Sequence, residues 1–328
     1  MKLTNMHGIS LPLAVWLLHD DYDYNPDPYY ISATSLLKSV RQIVLSKRVT
    51  SSDLELDIST FLASRFGNAV HDSIQKAWVN SGRDGMRKLG YPESVAGKIV
   101  INPDAKWLEL NPDFGAIPVW IEQRASKKIQ INNVTYEIGG KFDIVMEGRL
   151  FDTKTTSVYS YILGNKDEEY GLQGGIYRWL NPDLITSDHV YILFIFTDWQ
   201  KMMAKRDPKY PQTKALEHPV AMPAISTTEM FIRAKLTQIE KYKDAPDAEI
   251  PHCTDKELWR SETTYKYYSD PQKTMRATKN FTDKAEADAY MASKKGKGVV
   301  LTVPGEVRAC DYCPAFSVCK QKDLYYVT

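Results

Sequence analysis

The sequence predicts an α/β fold: a central mixed β-sheet flanked by helices, with a C-terminal subdomain tied together by cysteine-ligated metal. Three observations predict it. Apolar residues at helical spacing dominate before residue 80, whereas β-rich, alternating segments fill residues 119–196. Helical segments interrupt those strands, as α/β chains require. All four cysteines, Cys253, Cys310, Cys313 and Cys319, lie after residue 252.

Residues 22–30, punctuated by Pro26 and Pro28, read as an irregular lead-in. Ser35 precedes Leu36, Leu37, Val40, Ile43 and Val44, a helical spacing behind a capping residue. Phe61, Leu62, Phe66, Val70, Ile74 and Trp78 give a second amphipathic helix, with His71 beside its apolar stripe. Residues 119–124, 136–140 and 142–146 read as strands. Glu147-Gly148-Arg149 is a hairpin turn, and 150–155 is the returning strand. A helix over 168–180 precedes a buried strand through Val190, Ile192, Phe194 and Phe196. Another helix covers 226–242. Pro246 and Pro251 then mark a boundary, dividing the chain into a core over 1–245, with an N-terminal helical section, and a tail over 246–328. The tail holds one helix, 283–293, opened by Asp283 and Glu286 as a capping box.

With 43% hydrophobic and 25% charged residues over 328 positions, the chain can bury a sizeable core. A net charge of +1 neither demands nor forbids a polyanionic partner, since binding needs only a local basic groove. No apolar run approaches the ~20 residues of a membrane span. Residues 9–18 are apolar but short, and no small-residue cleavage site follows, so a cytoplasmic location with reduced thiols is expected.

The strongest chemical constellation is Gly139-Gly140-Lys141-Phe142-Asp143 followed by Phe151-Asp152-Thr153-Lys154. Side chains alternate along a strand, so Asp152 and Lys154 share one face. With Asp143 on the paired strand, two carboxylates and an ammonium converge. Mg²⁺ favours one or two carboxylates together with substrate phosphate. Lys154 is placed to act on an attacking water or on charge developing at the phosphate. Gln173 and Tyr177 lie one turn apart on the next helix. His71 is a candidate ligand through a neutral ring nitrogen. Taken singly, each is an ordinary surface or helix residue; their order carries the information.

That order, His71, Gly140-Lys141-Phe142-Asp143, Asp152-Thr153-Lys154-Thr155 and Gln173-Gly174-Gly175-Ile176-Tyr177, resembles the RecB-like branch of the PD-(D/E)XK nucleases over residues 30–200. The resemblance implies a restriction-endonuclease-like core and a Mg²⁺- or Mn²⁺-dependent deoxyribonuclease. It implies that His71, Asp143 and Asp152 bind the metal, with the Thr153 carbonyl as a further ligand. Lys154 would act on the water or the transition state, and Gln173 and Tyr177 on the DNA backbone or the active-site network. Some members place an additional acid where Glu122 stands. In-line hydrolysis in this family leaves a 5′-phosphate and a 3′-hydroxyl.

Cys310-X-X-Cys313, then Cys319, has metal-ligand spacing, Pro314 keeps a helix from running through the loop, and Cys253 supplies a fourth thiolate. Such a tetrad holds zinc or an iron–sulfur cluster. Zinc ribbons pair two Cys-X-X-Cys hooks, which a single upstream cysteine fits poorly. The three-cysteine tail is similar to iron–sulfur members of the RecB-like group, AddB-type recombination nucleases and CRISPR-associated adaptation nucleases among them, and implies a 4Fe–4S cluster. Those members place the lone cysteine before the core, whereas Cys253 follows it.

Residues 31–49 and 253–259 are similar to RecB-like exonucleases of bacteriophages, implying a role in phage DNA recombination, replication or end processing in the host cytoplasm, with DNA as partner and a recombination, annealing or helicase protein as a candidate second one. Structure-specific endonuclease activity and an inactive DNA-binding or assembly module are the alternatives. Lys201, Lys205, Arg206, Lys209 and Tyr210, and the stretch Tyr265, Lys266, Tyr267, Tyr268, Lys273, Arg276 and Lys279, are candidate DNA contacts, through phosphate neutralisation and base stacking.

Overall fold

The structure is a computed structural model that describes residues 2–50, 55–164 and 166–326. The first fifty residues give strand β1 (Lys2–Thr4), helix α1 (Leu11–Leu18), strand β2 (Tyr30–Ser32) and two short helices, α2 (Ala33–Leu36) and α3 (Val40–Ser46). Next come β3 (Glu55–Asp57), the long helix α4 (Leu62–Lys88), α5 (Glu93–Ala96), β4 (Ile99–Ile101) and α6 (Ala105–Leu110). Three strands in succession follow: β5 (Ile117–Ile131), β6 (Val134–Met146) and β7 (Arg149–Thr156). Then come α7 (Val158–Leu163), α8 (Asp167–Leu180), β8 (His189–Phe196), α9 (Lys201–Arg206), β9 (Ala215–Ala221) and α10 (Ile225–Tyr242). The remainder holds β10 (Thr264–Tyr268), β11 (Lys279–Phe281), α11 (Lys284–Ser293) and β12 (Val299–Val303).

The chain separates into two compact units. One is Met1–Leu37 with Ser51–Glu240; the other is Lys38–Thr50 with Lys241–Thr328. The division falls near residue 240 rather than 245, and the segment around α3 belongs with the tail although it lies early in the sequence. Among the described residues no helix is long and apolar enough to cross a membrane.

The first unit is α/β with a mixed sheet in the order β4-β5-β6-β7-β8-β9, and β2 pairs with β6 as well. The β4–β5, β7–β8 and β2–β6 pairs are parallel; β5–β6, β6–β7 and β8–β9 are antiparallel. On β8, Val190, Ile192, Phe194 and Phe196 are buried on one face, as their spacing predicts. The turn after β6 pairs Met146 with Arg149 around two left-handed residues, Glu147 (φ 49°) and Gly148 (φ 74°). That geometry matches the twist of the flanking strands, and glycine there carries no Cβ penalty. The expected strands 136–140 and 142–146 are one strand, and it and the strand expected over 119–124 continue to a second turn at residues 132–133. The polar, alternating run Ala125–Ile131 hid this extension.

The helix behind Ser35 is two helices. Ser32 caps α2 and Ser39 caps α3, their hydroxyls accepting the Ser35 and Gln42 backbone N–H groups. α4 runs 27 residues with no fully buried side chain; Ile74, Trp78 and Met86 instead pack half-buried against Val119, Ile121, Ile144 and Phe151.

In the second unit, β10 is the middle strand of an antiparallel sheet ordered β11-β10-β12. The sequence pattern does not predict this sheet. With α11, capped by Asp283 as expected, it encloses Tyr267, Phe281 and Ala287. A separate core joins Val40, Val44 and Leu45 of α3 to Ile250 and Ala315, with Cys313 and Cys319 packed against it.

Candidate metal centres

The first site forms where the sheet forks. β6 and β7 pair only from Met146–Arg149 to Ile144–Phe151; beyond that the strands part. Buried backbone groups freed by such a parting need partners. Thr153 N–H donates to Asp143 Oδ2 at 2.8 Å, and His71 Nε2 lies 2.9 Å from the Thr153 carbonyl. A carbonyl only accepts, so Nε2 carries a proton, and in the neutral ring Nδ1 presents its lone pair. That lone pair faces Asp143 Oδ2 at 3.2 Å. Two acceptors so close need a proton or a cation between them. Donating the other ring N–H to a carbonyl is also how metal-binding histidines are usually fixed in orientation.

Glu122 completes the group. Its carboxylate, His71 and Asp143 place ligand atoms all within 4.8 Å of one another. Glu122 sits opposite Asp143 at a break in the β5–β6 ladder, between the Ile121–Ile144 and Gln123–Phe142 pairs. Its φ is 52°, which costs about 1 kcal/mol for a residue with a Cβ. Lys141 is its ion-pair partner. Gln75, four residues after His71, lines the same small cavity with Thr153. That helical spacing was its signal in the sequence.

Asp152 lies near Asp143, close enough for its charge to act on that carboxyl, and outside the His71, Glu122 and Asp143 group. It is 4% exposed, and its Oδ2 makes an ion pair with Lys154 Nζ at 2.7 Å, outside good hydrogen-bond geometry. Gln173 Nε2 is 3.4 Å from its Oδ1 and donates to the Tyr177 hydroxyl at 3.1 Å. Gln173 and Tyr177 are therefore buried beside Asp152. Gly140 makes room for this: a Cβ there would lie 2.7 Å from the Tyr177 ring. At Gly174 a Cβ would lie 2.8 Å from that of Val190, so α8 can lie close on β8.

Electrostatics separate the groups. Burial, then the neighbouring Asp152 charge, pushes the Asp143 carboxyl well above the usual range. Burial alone would lower the Lys154 ammonium, but Asp152 and then Asp143 outweigh it and hold the charge on. Burial raises the Tyr170 hydroxyl to about 12, and its ring lies 5.9 Å from Lys154 Nζ.

The second site is a cavity of about 40 Å³ lined by all four cysteines together with Ser39 and Arg41. That exceeds the roughly 10–15 Å³ of a single water. No three of the sulfurs are mutually within 4.8 Å among the described residues. Cys310 is pushed up to about 11 by burial, then by Cys313, Cys319 and Cys253. Burial also raises Cys253 and Cys313. All four are free thiols.

The expected base-stacking tyrosines fare unevenly. Tyr210 is buried, with its hydroxyl accepting from Gln200 N–H, and Tyr267 and Tyr268 are buried as well. Apolar core demand claimed these three rings, while Tyr265 and Lys266 are half-buried and the other lysines and arginines of both stretches are exposed.

No family model matches the chain, and no curated protein is similar to it. One solved structure, titled "Crystal structure of SSO0001", is similar over 74% of this chain and 89% of its own, at 15% identity and a TM-score of 0.38. A likeness that distant says nothing about activity.

Proposed function

We propose that the first unit is a divalent-metal-dependent deoxyribonuclease of RecB-like, restriction-endonuclease-like type, acting on DNA ends. The observation that carries this reading is the fork: His71 Nδ1 and Asp143 Oδ2 are 3.2 Å apart, and Glu122 closes the group. Octahedral Mg²⁺, with bonds of 2.0–2.1 Å, holds adjacent ligands about 3 Å apart, so the donor set fits a hard cation. Such a cation would neutralise phosphate charge and acidify water at the scissile bond. Lys154, kept cationic by Asp152, supplies positive charge for the transition state. Gln173 and Tyr177 fix Asp152 and through it Lys154. Incubation with end-labelled linear and closed circular DNA, with and without Mn²⁺, tests the reading. An end-directed nuclease degrades the linear DNA only when the cation is present. Cleavage of the circle would show an endonuclease, and no cleavage of either would leave a binding module.

The four cysteines are proposed to hold a 4Fe–4S cluster. All four cysteines line one cavity, and their single-plus-three order, similar to iron–sulfur members of the RecB-like group, favours iron over zinc. Anaerobically purified protein should be brown. Colourless protein with one zinc per chain would refute the iron assignment.

A further inference from the structure

The geometry points to the start of α3 as the element that sets the reduction potential of the cysteine-held centre, through hydrogen bonds from Arg41 and Ser39 to two of the four sulfurs. The inference rests on reading the cysteines as an iron–sulfur site.

Arg41 is 2% exposed, and a guanidinium that deep needs a partner for each nitrogen. One terminal nitrogen meets Asp247 Oδ2 at 2.6 Å. The other donates to the carbonyls of Asp247 at 3.2 Å and Ile250 at 2.9 Å. Nε donates to Cys319 Sγ at 3.1 Å. Only a planar fork addresses three directions at once; lysine could keep Asp247 but not also the sulfur.

Ser39 is the N-cap of α3. Its Oγ accepts the Gln42 N–H at 3.0 Å and lies 3.2 Å from Cys253 Sγ. A thiol at Cys253 donates to that oxygen. A ligating thiolate has no proton, so the serine hydroxyl hydrogen turns to donate to the sulfur. One helical turn thus supplies an N–H and an O–H to sulfurs on opposite sides of the tail sequence, and all of these residues line one cavity.

Reduction adds negative charge that spreads onto the ligand sulfurs. Donors aimed at those sulfurs, and a buried cation beside them, stabilise the reduced form more than the oxidised one. The potential therefore rises. Arg41 keeps its charge at all working pH values, so the effect is constant.

The test uses the full chain purified without oxygen, with Arg41→Lys, Ser39→Ala and Ser39→Thr variants. Each is titrated potentiometrically by visible absorption, and iron and sulfide are counted on the same samples. Arg41→Lys and Ser39→Ala are each expected to lower the one-electron reduction equilibrium constant by roughly tenfold, about 59 mV. Ser39→Thr should restore the wild-type value. If Arg41→Lys loses iron, the contrast between Ser39→Ala and Ser39→Thr decides. Iron-loaded variants with potentials indistinguishable from wild type overturn the inference and leave the cluster standing. Wild-type protein with zinc and no iron overturns both.

Discussion

A buried carboxylate beside a second carboxylate is unfavourable until a positive partner reaches it, and Asp143 is in that position. Its pKa is raised in the folded state, so without metal the native protein binds a proton more readily than the unfolded chain. Stability then falls as pH rises through the window between the unfolded carboxyl value and the raised native one. Metal-free protein should accordingly melt higher at about pH 5 than at about pH 8, for this group alone. Asp143→Asn should flatten that difference, raise the neutral-pH melting temperature and abolish the gain on adding Mn²⁺. A variant that still responds to Mn²⁺ would remove Asp143 from the ligand set. Glu122 gives a second test. Glu122→Gly relieves the left-handed backbone, at about 1 kcal/mol, against loss of an ion pair with Lys141 worth about 0–1 kcal/mol. Urea denaturation should therefore show stability held or raised, while cation affinity falls. Lys154→Ala should cut cleavage at least ~100-fold and spare cation binding, since its ammonium faces Asp152 and not the metal group. Near-wild-type cleavage would sink its assigned role.

At the scale of elements, catalytic geometry depends on how closely α8 and β6 approach. Gly140→Ala drives a methyl to within 2.7 Å of the Tyr177 ring, an overpacking that should cost about 1–3 kcal/mol. Tyr177→Ala opens the space, so the double variant should be less destabilised than the sum of the two. Additive losses by chemical denaturation would mean that the two residues do not meet. This contact also shows where the sequence was legible. The glycines, acids and helix were readable because alternation and helical spacing put Asp152 with Lys154 and Gln173 with Tyr177. The parting of β6 and β7 was not readable, because it depends on which backbone groups lose partners. It gave the Thr153 N–H to Asp143 and the Thr153 carbonyl to His71, and brought both next to Glu122. Nor was the capping arrangement plain: Ser32, Ser35 and Ser39 all precede apolar residues, and backbone continuity alone chose the outer two. Arg41 is legible, as a lone charge among Val40, Ile43 and Val44 on the buried face of α3.

Across the whole molecule, two separately packed units carry two different proposed ligands. The first contains the fork and its hard-cation donors; the second has its own cores and the cysteine cavity. A ligand that binds only the folded form adds stability to the unit that holds it, about 2.7 kcal/mol at a hundredfold excess over its dissociation constant. Calorimetry of the iron-loaded protein should then resolve two transitions. Mn²⁺ should raise the one belonging to the first unit. Cys313→Ser, or anaerobic iron removal by a chelator, should lower the other and leave the first in place, because ligand binding there is folding free energy. α3 should lose protection from hydrogen exchange in the same step, although some two hundred residues separate it from Cys253, since Ser39, Arg41 and the cysteines line one cavity. If iron removal shifts the Mn²⁺-responsive transition equally and leaves α3 protected, the cysteine-held centre does not act within the second unit, and the division of labour between the two units fails.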